Sequence, residues 1–280
     1  MSDCDNRLFV ARKPMFIGSN AFLSRIKRRY GVKKAGFSGT LDPFACGVLI
    51  IAFGQYTKLF RFLKKTPKTY RATLWLGAFG ETLDIESVER IEEVPPLREE
   101  EVKEAVLSFR GPFTYTPPRY SAKRIGGRRA YDLAREGSEI ALQPCTSTIH
   151  DIRLLHYRHP FVTFEADVSE GTYIRSLGEA IAKKLGCPGS LSYLERLREG
   201  EFVYEGEKPL DPLKYLEPPE NRYLGDSDDL VLGKKLSRES FAIQESGIYT
   251  VVFDRYFAII EIEKSGTVNY LLNKVKLCSY

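Results

Sequence analysis

The chain has 280 residues and carries 42 Lys and Arg against 37 Asp and Glu, a net charge of +5. With 43% hydrophobic and 28% charged residues it reads as an ordinary soluble globular protein, large enough for one big domain or one domain with a small appendage. No apolar run approaches the roughly 20 residues of a membrane span, and residues 1–6 show no basic-then-apolar signal pattern. The five cysteines, Cys4, Cys46, Cys145, Cys187 and Cys278, are scattered and form no C-x-x-C pair. That fits reduced cytoplasmic thiols rather than a disulfide framework or a zinc site. Charge is sorted along the chain: residues 1–71 hold 15 Lys/Arg against 3 Asp/Glu, residues 81–104 hold 10 acidic against 3 basic, and residues 119–135 hold 6 basic against one acid. Such blocks suggest a basic surface for phosphates, unless folding disperses them.

In chain order, Leu8-Phe9-Val10-Ala11 reads as a short strand ending at Lys13-Pro14. Ser19 or Asn20 can cap a helix running to about Tyr30. Phe22, Leu23, Ile26 and Tyr30 share one of its faces, and Arg25, Lys27, Arg28 and Arg29 the other. The stretch Gly36-Phe37-Ser38-Gly39-Thr40-Leu41-Asp42-Pro43-Phe44-Ala45-Cys46-Gly47 comes next, and the rest of the chain is organised around it. Its glycines permit backbone conformations that other residues resist. Pro43 fixes its own φ and pushes Asp42 towards an extended conformation. Asp42 is the only carboxylate between Asp5 and Glu81, and the apolar run 48–53 that follows reads as a buried strand. A lone acid on a stiff loop, among basic residues, is a candidate for chemistry; the alternative is an Asp in an ordinary turn.

Residues 56–65 form a short basic helix candidate, and residues 68–77 alternate as a strand carrying Tyr70, which could equally be a half-buried strand aromatic. Residues 97–109 read as an acidic outer helix without chemistry. Pro117 and Pro118 mark a loop leading into a basic helix near residues 128–137, a segment suited to an RNA backbone groove. His150, His156 and His159 have no Cys or carboxylate at ligand spacing, so no metal site is expected. A strand at 161–168, a Gly171-Thr172 turn and a helix over 173–185 follow, with Arg175 in the first turn, either facing the loop or lying on the surface. Glu217-Pro218-Pro219-Glu220-Asn221 reads as a linker to strand runs at 249–253, 257–262 and 267–277.

Several of these motifs resemble one family. G-T-L-D-P-x-A-x-G at residues 39–47 is similar to the signature loop of the TruB family of tRNA pseudouridine synthases, whose catalytic Asp maps onto Asp42. Lys68-x-Tyr70 followed by Leu76-Gly77 matches the family's K-x-Y-x-x-x-x-x-L-G, with its active-site Tyr at Tyr70. Pro117, Pro118, Tyr120, Ser121 and Ala122 coincide with P-P-x-[YF]-S-A. Residues 169–177 match S-x-G-T-Y-[IV]-R-[ST]-L, which makes Arg175 the partner of the catalytic Asp, and residues 191–197 resemble the last active-site segment. The resemblance implies an α/β (α+β) fold with a central mixed or antiparallel sheet: a catalytic domain at 1–222 and a small PUA-like β module at 223–280. It implies Asp42, Tyr70 and Arg175 as catalytic residues, and Lys13, Phe37, Gly39, Thr40, Leu41, Tyr173 and Leu194 as substrate-binding residues. It further implies no metal or cofactor, a tRNA T stem-loop as partner, no membrane, a monomer and a cytoplasmic location. The chain departs from the pattern at Phe16 (usually Gly), Gly18 (Thr or Ser), Glu81 (Asp), Tyr115 (Gln) and Phe37 (His). Phe37 either plugs the core under the loop or stacks on bases near the flipped uridine; we expect stacking.

The implied reaction breaks the N1–C1′ bond of uridine, turns the base and rejoins it through C5. It needs a carboxylate beside C1′ and C6, a cation to orient it, and an aromatic face to hold the uracil. Direct attack at C1′, addition to C6 and a glycal route all remain open for Asp42. The target base must leave its stack, which costs least in an RNA loop. The rival readings are a guide-RNA-dependent relative and a non-catalytic tRNA-binding or folding factor.

Overall fold

The computed structural model describes residues 5–121, 124–125, 128–129, 136 and 142–278. In chain order the first elements are β1 (Arg7–Lys13), helix α1 (Ser19–Tyr30), β2 (Ala35–Phe37), β3 (Cys46–Phe53) and β4 (Lys68–Leu76). Then come β5 (Ala78–Phe79), β6 (Arg90–Ile91), α2 (Glu99–Leu107), β7 (Gly111–Tyr115), β8 (Arg124–Ile125) and β9 (Arg128–Arg129). The last group is β10 (Cys145–Arg158), β11 (Phe161–Val168), α3 (Ile174–Lys184), β12 (Gly189–Glu199), α4 (Ser227–Leu232), β13 (Gly247–Phe253), β14 (Tyr256–Ile262) and β15 (Val268–Lys276).

The body is one eight-stranded mixed sheet in the order β1-β3-β12-β4-β11-β10-β7, with β2 also paired to β3. Its pairings are antiparallel except β12 with β3, which meet in parallel at Glu195↔Cys46 and Arg196↔Gly47. The all-apolar run after the loop becomes β3, buried along its whole length, as expected of a strand covered on both faces. Gly47 is the hinge of this arrangement: at φ +107°, a Cβ there would lie 2.2 Å from the Arg196 carbonyl oxygen. The chain can therefore turn from the loop into β3 only because no side chain intervenes.

The helices form for visible local reasons. α1 ends in Lys27, Arg28 and Arg29 and stops at Gly31 with φ +65°, a basic last turn and a left-handed cap. α2 opens on Glu99, Glu100 and Glu101, which favour a helix N-terminus, and buries Val102 and Val106 against the main core. α3 buries Ile174, Leu177 and Ile181 in the same core, each contributing roughly 1.5–3 kcal/mol of transfer free energy.

The C-terminal strands make a separate antiparallel sheet, β13-β14-β15, with its own cluster around Phe241, Val251, Ile260 and Val268. Phe257, Ile259, Leu272 and Val275 face the other way and share a cluster with Leu8, Val10, Ile50 and Leu59, so the module is docked on the main sheet through apolar contact.

Several sequence expectations are corrected. Residues 56–65 are a 3₁₀ helix spanning Gly54–Phe62; it stops early because Leu63 pairs with Leu216 and the Lys64 amide donates to Tyr215. Residues 217–221 are not a free linker: Glu220 bridges Thr250, the Asn221 amide donates to the Thr250 carbonyl at 2.8 Å, and Asn221 is buried. Cys46, Cys145 and Cys187 are free thiols, whereas Cys278 is disulfide-bonded. The basic helix expected near 128–137 lies largely outside the described residues. Among the described residues no helix is long and apolar enough to cross a membrane.

Candidate active site

Asp42 stands on the loop between β2 and β3, and that loop is anchored from three sides. Leu41, Phe44 and Ala45 are buried in the main core. In place of Ser19 or Asn20, Gly18 takes the cap position of α1, and the Ser19 hydroxyl donates to the Leu41 carbonyl at 2.9 Å and accepts from the Leu41 amide at 3.0 Å. Lys13, expected to meet substrate, is fully buried. Its ammonium donates to the carbonyls of Pro14 (3.0 Å), Ile17 (2.6 Å) and Pro43 (3.2 Å). Burial pushes this amine down to about 8. Lys13 therefore holds the loop from beneath and lines neither of the two clefts beside Asp42.

Arg175 enters from the first turn of α3 and is 3% exposed. Its Nε lies 2.8 Å from Asp42 Oδ2, but the N–H is not aimed along that line, so the contact is ionic rather than a linear hydrogen bond. The Arg175 Nη1 donates to the Thr82 carbonyl at 2.7 Å and Nη2 to the Tyr120 carbonyl at 2.8 Å. On its far side Asp84 Oδ2 is 3.4 Å from Nη1. Asp84 is itself fixed by the Glu86 amide and the Thr82 hydroxyl. Burial raises the Asp84 carboxyl above its ordinary value, and the nearby Arg175 guanidinium opposes that rise. One buried cation is thus held by two carbonyls and a buried carboxylate, and presents its remaining edge to Asp42.

Asp42 separates two clefts. The first, of about 240 Å³, is lined by Gly39, Thr40, Leu41, Asp42, Lys68, Tyr70, residues 169–175, Leu194 and Arg196. It brings together all three expected catalytic residues and five of the expected binding residues: Gly39, Thr40, Leu41, Tyr173 and Leu194. The second, of about 430 Å³, lies towards Gly18, Ser19, Asn20, Asp84, Glu86 and Tyr120. Phe37 lines neither cleft. On β2 it pairs with Ile51 and is half-buried against the Phe9–Leu49 cluster, because strand pairing directs its ring at the core beneath the loop.

Sequence reasoning missed the floor of the first cleft. Arg196 is 1% exposed; its Nε donates to the Val48 carbonyl at 2.8 Å and its Nη2 to the Gly39 carbonyl at 3.0 Å. Glu199, with no exposed surface, pairs with Arg196 at 2.8 Å and with Lys68 at 3.3 Å. Such buried charges add little net stability but fix a geometry, here that of Gly39. Gly39 has φ +61°, and a Cβ there would lie 2.8 Å from Lys68 Nζ. A signal existed: Lys68 falls in the alternation of the inward residues Tyr70, Ala72 and Leu74, where a charge would otherwise be out of place. Among the described residues no group of three or more His, Cys, Asp or Glu is placed to hold a metal.

The fold is shared with a chain of the solved Cbf5–Nop10–Gar1 complex, at a TM-score of 0.68 and 20% identity over 96% of this chain and 84% of that one. The model of the TruB family pseudouridylate synthase N-terminal domain matches residues 27–174. The tRNA pseudouridine synthase B of a Nitratiruptor species is 62% identical over 96% of this chain and 98% of its own length. That of Campylobacter jejuni is 50% identical over 98% of this chain and 100% of its own. The chain belongs to the TruB family of pseudouridylate synthases.

Proposed function

We propose that the chain is a tRNA pseudouridine synthase that isomerises uridine 55 in the T loop of tRNA. The observation that carries this reading is the half-exposed Asp42 carboxylate, held 2.8 Å from buried Arg175 on the wall of a cleft that also contains Tyr70. In the reaction the N1–C1′ bond breaks, the base turns, C5 bonds to C1′, the proton leaves C5 and N1 ends protonated. Nothing is oxidised or reduced, so the chemistry calls for no cofactor or metal. Asp42 is the group for C1′ or C6, and Arg175 keeps its carboxylate aimed. Tyr70 holds the uracil, and its hydroxyl is available for removal of the C5 proton. The flipped base enters the Asp42–Tyr70–Leu194 cleft.

On this reading residues 1–222 form the catalytic domain and residues 223–280 an RNA-binding module, and the enzyme acts as a monomer in the cytoplasm. The exposed Arg25, Arg28, Lys33 and Lys34 at the end of α1 and just beyond it offer a basic surface for the RNA backbone. The test is to incubate pure protein, without guide RNA or metal, with an unmodified tRNA transcript and to map pseudouridine by carbodiimide primer extension. A single new stop at T-loop uridine 55 is expected; an unmodified T loop refutes the proposal.

A further inference from the structure

Phe16 lies in the turn between β1 and α1 with φ +59°, in the left-handed region that a side chain with a Cβ adopts only under strain. The residue is 66% exposed, more than any other aromatic among the described residues, and it belongs to none of the apolar clusters of the core. A strained, exposed aromatic that adds nothing to the core points to a contact made outside the fold.

The turn that carries Phe16 is rigidly joined to the catalytic loop. Lys13 bonds the carbonyls on either side of Phe16's neighbourhood, at Pro14 and Ile17, and also that of Pro43 beside Asp42. Ser19 binds both backbone groups of Leu41. Gly18, Ser19 and Asn20 line the second cleft together with Asp42 and Pro43, and Phe16 precedes the first of them by two residues in the chain. The cleft's lining sets three carboxylates, Asp42, Asp84 and Glu86, against one cation, Arg175, so its net negative charge disfavours a phosphate. What fits beside them is the uncharged face of a base.

We propose that Phe16 is a stacking platform for an unpaired nucleobase of the RNA next to the reacting uridine, at the mouth of the second cleft. The inference rests on the reading of the site as an RNA isomerase. Aromatic side chains hold unpaired bases by stacking without regard to sequence, and the tether through Lys13 and Ser19 fixes this ring relative to Asp42.

The test uses Phe16→Gly, Phe16→Leu and Phe16→Trp in the full-length protein, with an unmodified tRNA transcript. Kd is measured by filter binding, KM and kcat by turnover, and Tm by melting. Glycine takes the native φ without strain, so the Gly variant should fold with an unchanged or higher Tm. Phe16→Gly and Phe16→Leu should raise Kd and KM about tenfold, with kcat at saturating RNA within about twofold of wild type. Phe16→Trp should match wild type. Wild-type Kd in Phe16→Gly overturns the proposal, and so does full affinity in Phe16→Leu, which would mean apolar contact rather than stacking. A Tm drop in Phe16→Gly with normal affinity would assign the ring a structural role and also overturn it. Failure of the wild type to modify the transcript would sink the functional reading instead, and the Kd arm would still decide the role of Phe16.

Discussion

Replacing Arg175 with methionine should damage the fold as well as the chemistry, with a pH signature that identifies the cause. Methionine fills the buried stem but leaves Asp84, 3% exposed at its side chain, without its cation. It also leaves the Thr82 and Tyr120 carbonyls without their donors. Removing one partner of a buried ion pair costs roughly 3–5 kcal/mol. An orphaned buried carbonyl adds up to about 1–3 kcal/mol where water cannot reach it. These effects overlap, so we expect a loss on the order of 4 kcal/mol, a large share of the 5–15 kcal/mol that typically holds a domain together. Burial already raises the Asp84 carboxyl and Arg175 is the chief opposing influence; without Arg175 that carboxyl rises further. A carboxyl raised in the folded state binds its proton more tightly there than in the unfolded chain, so its destabilising effect fades as pH falls through the raised value. Urea unfolding at about pH 8 and about pH 5 should therefore show a wild-type-to-variant gap that shrinks at the lower pH. An equal gap at both, or a gap below about 1 kcal/mol, would refute the argument that Arg175 neutralises a buried acid. Arg175→Lys should lose less stability than Arg175→Met, because a cation stays beside Asp84, but it should be slow, because a single ammonium cannot serve two carboxylates and two carbonyls at once.

Three further outcomes are expected. Asp42→Asn should keep its melting temperature and tRNA binding but retain less than about a hundredth of wild-type turnover, and a faster variant would exclude an essential carboxylate. Burial pushes the Lys13 amine from 10.5 down to about 8, so the folded protein gives up this proton before the unfolded chain does. The Tm of wild type minus that of Lys13→Met should accordingly increase between those two pH values, and a flat difference would mean the ammonium is not desolvated. Phe37→Ala should lower stability by about 2 kcal/mol, roughly half the loss for a fully buried Phe, while the folded fraction binds tRNA normally. Normal stability with weakened binding would restore the stacking role.

The strands and helices of this chain were legible wherever local periodicity and burial agree. The apolar run after the loop became β3 along its full length, and the three C-terminal runs became β13, β14 and β15. The element ends were not, because tertiary pairing decided them. The 3₁₀ helix at Gly54–Phe62 yields where Leu63 meets Leu216, and the segment at 217–221 is tied to the edge of the C-terminal sheet by a single bridge from Glu220 to Thr250. Within the site, Asp42 could be named from the sequence because it is a lone acid on a Gly-Pro loop, and Tyr70 and Arg175 because their segments resemble motifs of the family. Their meeting in one cleft could not be read there, since 133 positions separate Asp42 from Arg175.

Sequence alone thus determined the chemical groups, the loop's stiffness and the family pattern, all of which are properties of neighbouring residues. Only the tertiary structure decided which charges are buried and what they serve. Lys13 turned out to be a strut under the loop and Phe37 a half-buried contact with the core, while Arg196, braced from behind by Glu199, became the floor of the cleft. The physical reason is that a charge acquires its role from its dielectric surroundings and its partners. Here those partners lie across the sheet: Lys13 reaches Pro43, Arg196 reaches Gly39, and Arg175 reaches Asp84. No local pattern encodes these contacts, because they arise only when β12 lies beside β3 and β4 and α3 closes over the sheet.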